Sequence, residues 1–193
     1  MSAAPRILAL DASLAGADGN SAALLGLAAD HLRPHATVAR ACLARDPDFA
    51  VHAPALAAAD ALVLATGTYW DGWSSHLQRF LEQATASEGS ALWLGKPAVV
   101  LVTAHSVGAR GVLSRLQGVL VTLGMCIPPM GGLAVTQVGQ LARDGGGPDT
   151  DDIWSTEDLA VVCHNLLVCL RGGRDWRAWP VDRRDPARRW LRT

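Results

Sequence analysis

The chain has 193 residues, half of them apolar and 18% charged, which allows one domain with a substantial core and excludes a disordered polymer. Net charge is −1 but unevenly spread: residues 171–193 hold eight arginines against Asp175, Asp182 and Asp185, leaving +5, and the rest of the chain carries −6. An acidic body argues against a general nucleic-acid binder, and no apolar run approaches the ~20 residues that a membrane helix needs.

The first apolar run of strand length is Arg6–Leu10, and acidic Asp11 closes it too early for a secretory leader, so a cytoplasmic location is expected. Ser21–Leu32 has helical spacing, with Leu24, Leu27, Ala28 and Leu32 on one face. Thr37–Leu43 alternates and reads as an edge or half-exposed strand; a short helix over Pro54–Ala59 precedes a third strand, Ala61–Ala65. Ser75–Ala84 places Leu77, Phe80, Leu81 and Ala84 together as a second long helical face. Ala98–Thr103 is the fourth strand, and Gly111–Leu123 is a helix facing inward through Val112, Leu116, Val119, Leu120 and Leu123. A weaker fifth strand lies in Cys126–Thr136, interrupted by Pro128-Pro129 and Gly131-Gly132. The acidic, Gly-rich Arg143–Asp152 reads as a mobile loop, in which Asp149, Asp151 and Asp152 are solvated rather than metal-binding. Thr156–Leu170 is the last helix, through Leu159, Val162, Cys163, Leu166 and Leu170, with Ser155 as N-cap and Asp158 three residues on.

The first, third and fourth strands are apolar throughout, as expected of parallel strands covered on both faces. Strand–helix alternation of this kind predicts an α/β fold with a parallel sheet between two helical layers. From Arg171 the chain becomes an Arg/Trp/Pro extension, so the domain is placed at 1–170 and the extension at 171–193. Trp176, Trp179 and Trp190 favour docking of that extension over disorder. Trp73, Trp93 and Trp154 are expected in packing or at a subunit contact. Cys42, Cys126, Cys163 and Cys169 form neither a CxxC pair nor a zinc-spaced cluster and are expected as buried free thiols. Ser114 has no nucleophile-elbow pattern around it.

Ligands of open parallel sheets bind beyond the carboxyl ends of the strands, where strand order reverses. Three loops there carry the polar residues. After the first strand, Asp11–Ser21 offers two glycines and the donors Ser13, Asn20 and Ser21 ahead of a helix N-terminus, which suits a phosphate or serves simply as a polar cap. It is neither GxGxxG nor a Walker A loop. After the third strand, Thr66, Gly67, Thr68, Tyr69 and Trp70 combine backbone access with stacking surface for a flat heteroaromatic ring, or else pack at a subunit contact. After the fourth, Thr103, His105, Ser106 and Gly108 precede another helix. His105 is either merely solvated or the group that bonds a ring carbonyl and hands over a proton. Jointly the loops suggest one ligand, phosphorylated at one end and flat at the other.

At these residues the sequence resembles the flavodoxin-like NAD(P)H-dependent FMN reductases, over about residues 6–137. Asp11-Ala12-Ser13-Leu14-Ala15-Gly16-Ala17-Asp18-Gly19-Asn20-Ser21 stands where members carry Gly-Ser-Leu-Arg-x-x-Ser-x-Asn, and Thr66-Gly67-Thr68-Tyr69 where they carry Thr-Pro-x-Tyr. It departs from them at Ala15, Gly67 and Gln78, where arginine, proline and lysine are usual. The resemblance, with the alternation, implies a doubly wound five-stranded parallel sheet in the order 2-1-3-4-5. It further implies non-covalent FMN, with Ser13, Asn20 and Ser21 on the phosphate, Thr66, Gly67, Thr68, Tyr69 and Trp70 along the isoalloxazine, and Thr103, His105, Ser106 and Gly108 closing its other edge. Electrons would pass from NAD(P)H as co-substrate through flavin to a small acceptor such as a quinone or a flavin, in a homodimer or homotetramer. The competing expectations are a flavodoxin-like electron carrier without its own turnover and an interaction protein that has lost the cofactor.

Overall fold

A computed structural model describes residues 4–146, 150, 152–172 and 177. Asp149, Asp151, Trp176, Trp179, Trp190 and most of the C-terminal extension lie outside the described residues, so the expectations placed on them are not addressed by it. Five strands, β1 (Arg6–Asp11), β2 (Thr37–Cys42), β3 (Ala61–Gly67), β4 (Ala98–Ala104) and β5 (Gly132–Thr136), form one sheet in the order β2-β1-β3-β4-β5. Every neighbouring pair is parallel; Leu8 lies beside Leu62, and Leu62 beside Ala98. The helices are α1 (Asn20–Leu32), α2 (Phe49–Ala58), α3 (Ser75–Ala84), α4 (Ala109–Leu123), α5 (Gln137–Asp144) and α6 (Leu159–Leu170).

Successive side chains of a strand face opposite sides, so each apolar strand feeds two cores. Leu8, Leu10, Leu62, Leu64, Val100 and Val102 pack with Leu56, Phe80, Trp93, Leu116 and Leu120 on the face covered by α2, α3 and α4. Ile7, Ala9, Val63, Val99, Leu101 and Leu133 pack with Leu25, Leu32, Val162 and Leu166 of α1 and α6 on the other. Edge strand β2 is half-exposed, which is why its sequence alternates. Ser155 and Asp158 form the reciprocal capping box ahead of α6.

Four expectations need correction. The fifth strand shrinks to Gly132–Thr136: Pro128 and Pro129 have no N–H for a ladder, and Cys126 makes only an isolated bridge to Pro97. The second helix starts five residues early, at Phe49, and carries Pro54 inside it, because Phe49 packs edge-on to Phe80 and stacks on Trp93. Leu27 is exposed and Leu25 takes its place in the core. Of the four free cysteines only Cys163 is buried; Cys126 is exposed, and Cys42 and Cys169 are half-buried. Among the described residues no helix is long and apolar enough to cross a membrane.

Candidate functional site

Strand order reverses between β1 and β3, so the loops after those strands flank a crevice at the carboxyl edge of the sheet. The loop after β1 is closed from within. The buried Asp11 carboxylate accepts the Ser13 N–H at 3.0 Å, and Ser13 Oγ lies 3.5 Å from the Gly16 carbonyl. Gly19 precedes α1 as a cap without a side chain, and a Cβ there would sit 3.0 Å from that of Ala15 and 3.2 Å from Ser13 Oγ. The first turn of α1 therefore keeps N–H groups that no side chain caps. Asn20 is exposed at that turn and Ser21 is buried beneath it.

The loop after β3 is fastened to the first by hydroxyls. Thr66 Oγ1 is 3.4 Å from the Ala12 carbonyl and 3.1 Å from that of Gly67. Buried Ser74 donates its Oγ hydrogen to Ala12 O and accepts from Leu77 N–H at 3.1 Å, capping α3 at the same time. Between them Tyr69 and Gly72 exchange backbone bonds of 2.8 and 2.9 Å around Trp70 and Asp71, whose φ angles of 50° and 58° are both left-handed. Such a turn ordinarily takes Asn-Gly. Here the Arg115 guanidinium holds it by donating to the Asp71 carbonyl.

Three contacts join the loops pairwise. The Tyr69 hydroxyl accepts the Leu14 N–H at 3.0 Å, linking the first and third strand-end loops. Ser21 Oγ meets Thr103 Oγ1 at 2.8 Å, linking the first and fourth. Thr68 N–H donates to the Thr103 carbonyl at 2.8 Å, linking the third and fourth. Thr68 Oγ1, in the middle of this junction, is buried and has no hydrogen-bond partner among the described residues.

The twelve site residues expected from the sequence fall into distinct positions. Ser21, Thr66, Thr68, Tyr69 and Thr103 meet at the junction, and Ser13 is buried within the first loop. Asn20, His105 and Ser106 stand exposed at its rim, and the Trp70 ring is fully exposed at the hairpin tip. Gly67 and Gly108 lend their missing side chains to the protein itself. The Tyr69 ring covers Gly67, with its hydroxyl 2.9 Å from where a Cβ would be. Asp71 Oδ1 fills the corresponding space at Gly108, whose φ of 85° opens α4.

Sequence reasoning missed Ser74, although a serine just before a periodic helical run is an N-cap signal. It also missed an open groove of about 500 Å³ beside the hairpin, lined by Leu14, Tyr69, Gly72, Trp73, Ser75, Gln78 and Arg115. Nothing in spacing marks Arg115, one of sixteen arginines, within a helix. Trp93 is fully buried as expected, whereas Trp73 is half-exposed in the groove and Trp154 lies 5.1 Å beneath the Arg110 guanidinium.

Among solved structures the chain is similar to RosB with bound 8-demethyl-8-formylriboflavin-5'-phosphate, with a TM-score of 0.72 and 16% identity over 98% of this chain and 96% of that one. It is similar to an oxidoreductase from Corynebacterium diphtheriae (TM-score 0.68, 19% identity, 89% of this chain and 100% of that one). It is also similar to the apo form of the NADH:FMN oxidoreductase EmoB (TM-score 0.63, 17% identity, 85% and 89%). At these identities the likeness establishes the flavodoxin-like fold. No curated protein matches the chain by sequence. The model of the NADPH-dependent FMN reductase family matches residues 5–140, across β1 to β5 and the three loops just described. By that match the chain belongs to the NADPH-dependent FMN reductase family.

Proposed function

We propose that the chain holds FMN non-covalently where its three loops meet and passes electrons from NAD(P)H to a small acceptor. The observation that carries this is Thr68 Oγ1: a buried hydroxyl without a partner costs about 1–3 kcal/mol, and it lies where loops from three strands are bonded to one another. A ligand acceptor or donor at that point removes the cost. At the start of α1 the uncapped first turn supplies N–H groups and a positive dipole end, which suit a phosphate. The residues present therefore fit the group at both of its ends.

When bound, FMN supplies the hydride and electron chemistry, and the chain's part is placement and electrostatics. Asn20 and Ser13 serve the phosphate without adding charge, and Ser21 ties the start of α1 to Thr103. Thr68 and Thr103 anchor the ring end. The Tyr69 ring closes the crevice on the side of Leu14. His105 is the one imidazole on these loops, exposed at the rim, and is the group that can give a proton to a reduced acceptor. Action as a cytoplasmic homodimer or homotetramer is part of the same proposal, and the fully exposed Trp70 at the hairpin tip supports a subunit contact.

The test is the visible spectrum of the purified full-length protein before and after adding FMN, followed by NADH and NADPH oxidation with a quinone. Flavin absorption at roughly 450 nm and turnover are expected. A spectrum without turnover assigns an electron carrier instead, and a protein that takes up no FMN overturns the reading.

A further inference from the structure

We infer that the groove between the Tyr69–Gly72 hairpin, α3 and α4 is the acceptor subsite, and that it takes a planar aromatic compound bearing an acidic substituent. This rests on the redox reading above and names the class of its acceptor. The groove's volume of about 500 Å³ is in the range of small-molecule sites. One wall is the half-exposed Trp73 ring, fixed in orientation because its Nε1–H donates to Gln78 Oε1 at 2.9 Å, while Gln78 Nε2 donates to Glu82 at 2.7 Å. Tyr69 supplies a second aromatic surface.

The charge comes from Arg115. Its guanidinium carbon lies 5.9 Å from the centroid of Trp73, and its described bonds go only to the backbone carbonyls of Gly111, at 3.2 Å, and Asp71. No carboxylate lies within 4.0 Å of it among the described residues. Two of five N–H donors are thus used, none by an anion, and the positive charge lines the groove uncompensated. Of the nearby acids, Glu82 accepts from Gln78, and Asp71 Oδ1 is turned to the space at Gly108 and forms no ion pair within 4.0 Å among the described residues. A guanidinium held over an indole beside an open aromatic cleft recognises a flat molecule with a carboxylate, sulfonate or phosphate at its edge. A neutral ring gains the stacking but leaves the cation unmatched.

Calorimetry with naphthalene-2-sulfonate and the neutral naphthalene-2-sulfonamide tests this on the full chain, with and without FMN. The sulfonate is expected to bind at least tenfold tighter. Arg115→Gln is expected to remove the difference and Arg115→Lys to keep part of it, and comparison of the two separates loss of charge from loss of the hairpin contact. Equal affinities in the wild type, or a preference that survives Arg115→Gln, overturns the proposal. Competition by NADPH at matched concentration through Arg115 overturns the assignment to the acceptor. In turnover, the KM for 1,4-naphthoquinone-2-sulfonate is expected to rise at least tenfold in Arg115→Gln while that for NADPH holds. Failure to take up FMN defeats the redox reading without touching the probe preference, so the two are told apart.

Discussion

Gly108→Ala is the sharpest test of how the loops are locked. Gly108 adopts φ of 85°, and a Cβ there would overlap Asp71 Oδ1 and lie 3.3 Å from Thr68 Cγ2. Left-handed backbone costs an alanine about 1–2 kcal/mol, and rotating Asp71 away disturbs a hairpin that is already left-handed at two non-glycine residues. The unfolded chain loses entropy on gaining the methyl, which returns about 0.4–1 kcal/mol. The net expectation is a loss of about 2 kcal/mol, or a fall of about 4–8 °C in Tm for a chain of this size. Gly118→Ala makes the same chemical change ten residues along, in α4, where a Cβ meets nothing within 4 Å. There, helix propensity predicts a gain of about 0.8–1 kcal/mol. Urea denaturation of both variants in parallel checks the pair. Two changes of the same sign, or a Gly108→Ala loss below about 0.5 kcal/mol, would refute the claim that Asp71 and Thr68 occupy the glycine's space.

Trp93→Ala is expected to cost about 3–5 kcal/mol in the same assay, since the ring is fully buried against Phe49 and Phe80 and its Nε1–H donates to Ser87 at 2.8 Å. Burial pushes the Cys163 thiol up to about 12, so thiolate is scarce at pH 8. Iodoacetamide followed by peptide mass mapping should label exposed Cys126 first and reach Cys163 only after denaturation. Asn165 is fully buried in α6, and its amide donates to the Pro129 and Arg177 carbonyls at 2.7 and 2.8 Å while accepting the Arg177 N–H at 2.8 Å. Asn165→Leu is therefore expected to speed tryptic cleavage after Arg177 at least tenfold; an unchanged rate would show that this amide does not fasten the chain there.

Three strands were legible because they are buried on both faces, which continuous apolar runs such as Ala61–Ala65 require, and β2 was legible by its alternation. β5 was legible only as a region, since five residues after two prolines carry little pattern. α5 was not legible at all: its apolar Val138 and Leu141 are exposed, so no buried stripe shaped its spacing. The convergence of the three loops follows from topology alone, because a parallel sheet puts all its strand ends on one edge. Which atoms meet there does not follow. That Tyr69 reaches Leu14, that Asp71 fills the space at Gly108, and that Arg115 crosses to Trp73 depend on the backward turn at Trp70 and Asp71. Trp70 does not advertise left-handed backbone, and Asp71 does so only weakly.

Thr68→Val separates a structural role for this junction from a ligand-binding one. A threonine kept for folding should have a partner for its hydroxyl, as Thr66 and Ser74 do. Thr68 Oγ1 has none among the described residues, although it is buried. Valine keeps the branched shape and removes the unmet donor, so the FMN-free protein should be as stable as wild type or gain about 1 kcal/mol. The same change should weaken FMN about 2–13-fold, the worth of one net hydrogen bond of ~0.5–1.5 kcal/mol, read as quenching of flavin fluorescence on titration. Stability and affinity then move in opposite directions, which no packing defect produces. A valine variant that is less stable and binds FMN as before would mean that the hydroxyl serves the fold, and the crevice would lose the feature that assigns it to a ligand.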